Sequence, residues 1–235
     1  MSSDVNYDGL IHYTVSFVGG FFGLYAILSR CGNFGSAQTN NLICLIHDLL
    51  GNNLVDFGVR LGALVLYVLA IILTVYLPRH LKYDLRIISI LIDCFACFLS
   101  ILLPQDLNPI IGLYPIFFAM AFQWCTFKGV AGYVGSTTFS TNNIKQFVTA
   151  IVLYIMEKDQ NQLSKMKFYG KTLLGFHLGV ATVFILWTIY HIYAILLCLL
   201  PLGIVLIYIY LQQLNNETVK NDHKIRLLSK LHIIK

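Results

Sequence analysis

The sequence predicts an all-α polytopic membrane protein with six transmembrane helices, arranged as two inverted three-helix repeats that each carry a broken or re-entrant polar motif. Apolar residues make up 57% of the 235 residues, only 11% are charged, and the mean hydropathy is +0.73. Soluble domains carry about 25% charged residues. Long apolar segments alternate with marked breaks along the chain. One short polar run also occurs twice at matched positions, which is typical of the working site of an internally repeated membrane protein.

The six spans follow from segment length and from the residues that interrupt the segments. A spanning helix needs roughly 20 mostly apolar residues. Pro78 ends the second segment, and Pro104 and Pro109 separate the third from the fourth. A tight turn around His191 divides the fifth from the sixth. The predicted spans are Leu10–Leu28, Phe57–Leu77, Leu85–Leu103, Ile110–Phe127, Thr172–Tyr190 and Ile192–Leu211.

The repeated polar run is Ser36–Asn41 in the first half and Thr137–Asn143 in the second, and each copy ends in Thr-Asn-Asn. Each leads into a segment that reads as a short helix, Asn41–Leu50 or Ile144–Met156. The first is too short to span a bilayer, whereas the second is marginal and leaves a seventh crossing open. Backbone leaves a helix at membrane depth only where protein buries it or water reaches it. Matched recurrence therefore favours two motifs facing a shared central site over two wet helix caps.

Basic residues set the orientation. They cluster between the second and third spans, before the fifth and after the sixth, while the three-to-four and five-to-six connections carry no Lys or Arg. With six crossings, every basic stretch lies on the cytoplasmic side, as the positive-inside rule prefers. Both termini are then cytoplasmic. Because each half has an odd number of spans, the halves are inverted. The net charge of +5 is explained by these loops, so we expect no nucleic-acid binding.

The chain reads as one transmembrane domain over residues 1–214, with repeat one at about 10–103 and repeat two at about 110–211. A basic cytoplasmic tail, 215–235, follows. Its apolar residues recur at helical spacing, which suits a helix lying on the membrane surface, and a solvated tail is an equal alternative. No cleavable signal pattern is present near Met1, so we expect the first span to be retained.

The polar side chains of the motifs and one glutamine of the fourth span are the candidate solute-binding residues. They offer neutral donors and acceptors, and a helix that restarts after a break directs backbone N–H groups at an anion or a carbonyl. These residues are Gln38, Thr39, Asn41, Gln123, Thr138, Thr141 and Asn143.

Asp93 and His177 are the candidates for proton or ion coupling. Asp93 lies in the middle of the third span. An acid at a helix centre costs roughly 2.5–3.5 kcal/mol on insertion scales, so it is usually kept for a pathway, a proton or a partner. His177 lies mid-span between Gly175 and Gly179, and the two residues together would make a proton relay. For each, a structural hydrogen bond between helices is the alternative.

Other chemistry is not indicated. The chain has no H-E-x-x-H, no G-x-S-x-G and no phosphate loop, so we expect no enzyme. Cys94 and Cys97 have a metal-ligand spacing but lack a second pair, and zinc normally needs four ligands. We therefore expect neither a metal nor a cofactor. Arg30 and Lys128 end spans one and four, where snorkelling to headgroups explains them.

The chain resembles the YoaK-like family of bacterial multi-pass membrane proteins over essentially its whole length. The resemblance rests on Gly19–Tyr25, Phe34–Leu42, Ala119–Phe127, Gly132-Tyr133 and Thr137–Ile144. It implies a place in the bacterial inner membrane and no particular activity. Gly23 departs from the family pattern, which has an acidic residue there, and Asn40 and Asn142 stand where the family favours Gly. The missing acid leaves Asp93 as the mid-span carboxylate, and Asn tolerates the left-handed backbone that the Gly would adopt.

These features favour a small, secondary-transporter-like permease for a polar or anionic metabolite, coupled to protons through Asp93. The alternative is a non-transporting membrane scaffold or accessory subunit, in which the motifs hold helices together. A membrane-embedded enzyme is a third reading. The expected partners are the lipid bilayer and a small polar or anionic solute. The sequence leaves open the identity of the solute, the direction and coupling of transport, and whether the chain forms a homo-oligomer.

Overall fold

The computed structural model describes residues 6–30, 32–34 and 38–232, with 220–232 as backbone only. The predicted motif residues Ser36 and Ala37 and the side chains of the basic tail lie outside the described residues. The helices are α1 (Tyr7–Ser29), α2 (Gln38–Leu50), α3 (Leu54–His80), α4 (Leu85–Leu102), α5 (Pro109–Gly112), α6 (Tyr114–Thr126), α7 (Thr141–Glu157), α8 (Gln160–Tyr190) and α9 (Leu199–His232). Two short strands, β1 (Gly129–Val130) and β2 (Tyr133–Val134), lie between α6 and α7, and a 3-10 helix (His191–Cys198) joins α8 to α9.

Four helical stretches in the described part of the chain are long and apolar enough to cross a membrane. They are Tyr7–Ser29, Leu54–His80, Leu85–Leu102 and the run Gln160–Val219. Their exposed side chains are largely Leu, Ile, Val and Phe, as lipid contact requires. The protein is therefore a helical, multi-pass integral membrane protein, and six crossings in two inverted repeats stays a prediction.

The predicted fourth span is not one continuous helix. It is divided into α5 and α6, and α6 has 13 residues, or roughly 20 Å at 1.5 Å per residue. That is less than the ~30 Å of bilayer hydrocarbon. Pro115 accounts for the break, because its ring has no N–H to donate to the Ile111 carbonyl.

The predicted turn between spans five and six is present. His191 has φ 48° and ψ −126°, which ends α8 at Tyr190. The next eight residues form a 3-10 helix, and α9 begins directly after it with Pro201 in its first turn, where a missing N–H costs no hydrogen bond within the helix. The run Gln160–Val219 is thus two helices joined by a turn. α9 continues without a break through the predicted boundary at 214.

The two short helices predicted after the polar motifs are also present, as α2 and α7. Each is followed by a residue in the left-handed backbone conformation, Asn52 (φ 58°) after α2 and Lys158 (φ 55°) after α7. The next residues, Asn53 and Asp159, cap α3 and α8 by accepting a backbone N–H. Each short helix therefore folds back against the long helix that follows it, and α2 contacts α3 as α7 contacts α8.

α1 packs on α8 and α9. It runs parallel to α8, since Gly175 lies against the Tyr13 carbonyl near the start of α1, and Tyr25 packs edge-on to Trp187 near its end, with 5.7 Å between ring centroids. It runs antiparallel to α9.

α6 packs on α3 and α4. It runs parallel to α3, because the Tyr114 hydroxyl donates to the Val59 carbonyl at 2.7 Å near the start of both helices. Further along, Phe122 and Ala70 share one buried cluster. α4 and α9 also contact each other. Each half of the chain thus contributes one helix, α1 or α6, that packs on the long helices of the other half.

The backbones of α1 and α8 touch at glycines. A Cβ on Gly20 would meet the Phe176 carbonyl, and a Cβ on Gly179 would meet the Phe17 carbonyl. Small residues of this kind let membrane helices approach closely enough for strong van der Waals packing.

Replacing Gly179 by Ala should therefore destabilise the protein by about 1–3 kcal/mol through overpacking. Gly58→Ala is the matched control, because Gly58 is also helical and a Cβ there meets nothing within 4 Å. Thermal unfolding of both variants in the same detergent measures the difference. Equal midpoints would contradict the backbone contact.

Candidate functional site

The buried face of α4 is polar. Ser89, Asp93, Cys97 and Ser100 are all buried, and their spacing of four, four and three residues places them on one side of a helix. The opposite side, which includes Phe95, is exposed and apolar. Apolar residues would pack in the interior of the protein at a lower free-energy cost, so a polar buried face on a spanning helix indicates a function in the interior.

Asp93 is the centre of this face. Its side chain has 0% exposure, and neither carboxylate oxygen has a hydrogen-bond partner among the described residues. Its electrostatic neighbours are the thiols of Cys94 and Cys198. A buried carboxyl group without a partner costs free energy, so Asp93 is a group that the fold alone does not explain. Its central, buried position agrees with the sequence prediction.

His177 does not join Asp93. Its ring lies on the exposed side of α8, with Nδ1 2.8 Å from the Leu173 carbonyl oxygen. The sequence contained the reason, since Gly175 and Gly179 face α1 and a residue two positions from each points away from that face. The structure therefore does not assemble the predicted relay.

His12 is a buried histidine that the sequence did not single out. It is 2% exposed, and neither ring nitrogen has a hydrogen-bond partner in the described part of the chain. Its ring lies 5.0 Å from that of Phe168, centroid to centroid. The one feature of the sequence that could have indicated its burial is its spacing of four residues from Ser16, which is also buried on α1.

A polar network closes the bundle beside His12. Arg86 donates to Asp84 and to Gln212, both at 2.7 Å, and lies 3.8 Å from Asp8. The Gln212 amide donates to Asp8 at 2.7 Å. Burial raises the pKa of Asp84, but the hydrogen bonds from Arg86 outweigh it and hold the pKa below its ordinary value.

A small cavity of about 80 Å³ lies at the same end of the bundle. It is lined by the start of α1, the start of α4 and the end of α6. α1 and α6 therefore run in opposite directions. Its polar lining includes Asp8, His12, Arg86 and Lys128.

Arg30, at the other end of α1, is buried rather than snorkelling, with 3% exposure. One guanidinium nitrogen donates to the Pro104 carbonyl at 3.0 Å. The other terminal nitrogen, Nη2, has no partner among the described residues. The expectation of a headgroup contact is therefore wrong for this side chain, since the guanidinium holds the connection between α4 and α5.

In the first motif, Asn41 is buried and joins α2 to α3. Its amide donates to Gln38 Oε1 and to the Arg60 carbonyl, both at 3.2 Å. Thr39 is exposed. One and two turns further along α2, Leu45 and Asp48 continue the buried face.

Asp48 forms an ion pair with Arg60, whose Nε lies 2.7 Å from the carboxylate. The hydrogen bond from His47 and then the bond from Arg60 hold the pKa of Asp48 below its ordinary value of 3.8. Both bonds favour the charged carboxylate, which lies outside the candidate spans.

In the second motif, Asn143 fastens the loop that precedes α7. Its carbonyl accepts the Ser136 N–H at 3.1 Å, and its amide donates to the Ser136 and Phe139 carbonyls at 2.7 and 3.0 Å. Thr138 is buried in this loop, whereas Thr141 is exposed at the start of α7.

The β1–β2 hairpin before this loop was not predicted from the sequence. Ala131 and Gly132 both have positive φ, at 52° and 84°, as a two-residue type I′ turn requires. Ala disfavours that backbone, which is why its residue type gave no signal.

Gln123 connects α6, α1 and the second motif. Its amide donates to the Val15 carbonyl at 3.2 Å and to Thr137 Oγ1 at 3.1 Å. Its Oε1 is buried and has no partner in the described residues.

The loops that carry the two motifs both reach the middle of α1. A Cβ on Gly19 would meet the Thr137 carbonyl, and a Cβ on Gly23 would meet the Phe34 ring. Gly19 and Gly23 are one turn apart on one face of α1, about 6 Å along the helix axis. Phe34 fills the space that an acidic residue at position 23 would need. The motif side chains Thr39 and Thr141 do not share this contact.

A cavity of about 820 Å³ opens beside the second motif. It lies between the end of α6, the β hairpin and the start of α7. Its lining residues are Trp124, Cys125, Lys128, Val134, Gly135, Ser136, Phe139, Thr141, Asn142 and Lys145. Among the described residues, no group of three or more His, Cys, Asp or Glu side chains is arranged to hold a metal ion.

Asn143→Ala should lower stability by about 2–3 kcal/mol, because it removes three partly buried hydrogen bonds worth about 1 kcal/mol each. The neighbouring Asn142→Ala removes an exposed side chain and should change stability by less than about 0.5 kcal/mol. Thermal unfolding in detergent distinguishes them. Equal midpoints would show that Asn143 does not hold the loop.

Lowering the pH should loosen the packing of α2 on α3 and leave the packing of α7 on α8 unchanged. A lowered pKa means that the charged Asp48 contributes stability above pH 3.8, and that this contribution is lost as the pH falls through the lower folded-state value. Pepsin cleavage within Gln38–Leu50 should therefore rise between about pH 4.5 and about pH 2.5, while cleavage within Thr141–Glu157 changes little. In Asp48→Asn, cleavage of α2 should be high at both pH values. An equal rise in both helices would contradict the role of the ion pair.

A family model described as "Protein of unknown function (DUF1275)" matches residues 11–208. This range contains all candidate site residues, from Gln38 to His177, and the match is consistent with the resemblance to the YoaK-like family. No curated protein and no solved structure matches the chain. Because the model covers most of its length, the chain belongs to the DUF1275 family.

Proposed function

We propose that the protein is a small, proton-coupled permease for a polar or anionic solute. The observation that carries this proposal is Asp93, a fully buried acid without a hydrogen-bond partner among the described residues. An ionised carboxylate is costly there, and a neutral carboxyl group much less so. A group of this kind is suited to take up a proton and release it when its surroundings change.

An inverted repeat supports a transporter-like design. In this proposal the two halves correspond element by element, with α1, α2, α3 and α4 matching α6, α7, α8 and α9. The packing of α1 on α8 and α9 then matches that of α6 on α3 and α4. Each short helix is followed by a residue with positive φ and then by a residue that caps the next long helix. The opposite directions of α1 and α6 support an inverted arrangement of the halves, as in many secondary transporters.

The solute site of this proposal lies where the motif loops meet α1. Thr137 and Phe34 contact one face of that helix at Gly19 and Gly23. Gln123 is at the same level and keeps one free acceptor. The other predicted binding residues lie in these loops or in the first turn of the helix that follows each loop, and they are Gln38, Thr39, Asn41, Thr138, Thr141 and Asn143.

The proton route of this proposal starts at the end that carries Arg86 and the 80 Å³ cavity. Asp93 lies seven residues beyond Arg86 on α4, or about 10 Å deeper. Ser89 lies between them on the same buried face. On α1, His12 lies four residues beyond Asp8, at a depth similar to that of Ser89 on α4. It replaces His177 as the histidine nearest to this route.

We assign that end to the cytoplasmic side of a bacterial inner membrane. The basic residues before α4 and at the start of α8 support this orientation by the positive-inside rule, and so does Lys128 at the end of α6. Both termini then lie in the cytoplasm.

One observation favours the alternative, a non-transporting scaffold or accessory subunit. The side-chain amides of Asn41 and Asn143 donate hydrogen bonds to neighbouring backbone carbonyls and, for Asn41, to the Gln38 side chain. In a scaffold, the motifs would do no more than hold helices together.

Asp93→Asn tests the permease. Proteoliposomes loaded with a pH-sensitive dye are exposed to a panel of small neutral polar and anionic metabolites, and solute-dependent acidification of the lumen is recorded. We expect acidification with the wild type and a fall of at least about tenfold in Asp93→Asn, because the amide cannot exchange a proton. Asp106→Asn, which changes an exposed acid in the α4–α5 connection, should behave as the wild type.

Equal proton movement in Asp93→Asn would remove Asp93 from the mechanism. A folded wild type that moves no proton and no radiolabelled solute from the panel would contradict the permease and favour the scaffold.

A further inference from the structure

The 820 Å³ cavity beside the second motif has apolar walls and a basic rim. Trp124, Val134 and Phe139 line it, and the Trp124 and Phe139 rings meet edge-on at 5.7 Å between centroids. The volume is several times that of a small inorganic anion and lies in the range of pockets that hold drug-sized molecules. Its occupant should therefore be largely apolar.

Lys128 and Lys145 supply the charge. Both side chains are exposed and line the cavity. Neither forms an ion pair with an acid of the described part of the chain, where the pairs involve His47, Arg60 and Arg86 instead. Two cations without counter-charges favour an anionic group at the rim.

The cavity also lies at the edge of lipid-facing surface. On α7, Ile144, Val148, Val152 and Ile155 are exposed along one side of the helix, at the spacing of a single face. Lys145 is the residue after Ile144, the first residue of this apolar row. The chain therefore places apolar and cationic groups side by side, as a helix does at a membrane interface.

We propose that this cavity binds an anionic phospholipid, with the phosphate between Lys128 and Lys145 and an acyl chain against Trp124 and Phe139. Apolar walls select an amphiphile over a free anion, and the two lysines select an anionic headgroup over a zwitterionic one. The site is separate from Asp93 and does not depend on the protein being a permease. Because its wall includes the start of α7, a bound lipid would hold the second motif in place.

The protein contains two tryptophans, Trp124 and Trp187, so Trp187→Phe leaves a fluorescent reporter in the cavity. This variant is reconstituted into phosphatidylcholine vesicles that contain either brominated phosphatidylglycerol or brominated phosphatidylcholine. Bromine quenches Trp124 on contact. We expect the anionic lipid to quench at a much lower mole fraction, with a relative affinity that falls about fivefold for each lysine replaced by glutamine.

Lys165→Gln with Lys167→Gln is the matched control, because it removes the same charge from the start of α8 and not from the cavity rim. It should leave the preference for phosphatidylglycerol unchanged. The reverse reporter, Trp124→Phe, should show no such preference at Trp187. Circular dichroism confirms that each variant is helical.

Two results would overturn the proposal. The first is equal quenching by both brominated lipids, or quenching that survives Lys128→Gln with Lys145→Gln. The second is relief of quenching by inorganic phosphate at constant ionic strength, which would identify a site for a free anion. The transport assay with Asp93→Asn has no bearing on either result, so the two proposals stand or fall separately.

Discussion

Close backbone approach to α1 is the constraint on which the rest of the bundle depends. Gly19 lies against the Thr137 carbonyl, Gly20 against the Phe176 carbonyl and Gly23 against the Phe34 ring. A side chain at any of these positions would separate α1 from α8 or from a motif loop. Since lipid tails are as apolar as Leu, a membrane protein gains little from hiding apolar surface and depends on such contacts for association. The glycines of α1 therefore set the position of both motifs.

A second constraint is that polar groups inside the bilayer need partners. Most polar groups of the motifs obey it, and Asn143 alone satisfies three backbone groups of its loop. Exceptions occur in the interior at Asp93, His12 and Gln123, and in the motif segments at Gln38, Asn41 and Ser140, each of which keeps an atom without a partner among the described residues. Asp93 and His12 differ from the motif residues in being ionisable, and every side-chain polar atom of both lacks a partner in the described part of the chain, which a functional site explains better than poor packing.

The sequence predicted those features that depend on local residue type. The motif-led starts of α2 and α7, the turn at His191 and the central burial of Asp93 all follow from polarity, length and turn residues. Two errors have one cause, which is that a hydropathy window carries no information about rotation or backbone geometry. It could not show that Pro115 shortens α6, or that His177 lies on the exposed side of α8.

The two short motif helices, α2 and α7, are held in place by different chemistry. Asp48 of α2 and Ala150 of α7 hold the same position, since each lies seven residues after the last asparagine of its motif, and both are buried. Asp48 holds α2 to α3 by an ion pair with Arg60, whereas α7 meets α8 by apolar contact of Phe147 with Gly170. A charge pair responds to pH and salt, and apolar packing does so far less. The two motif helices are therefore held by interactions of different kinds, so a change of pH or salt can loosen α2 without loosening α7.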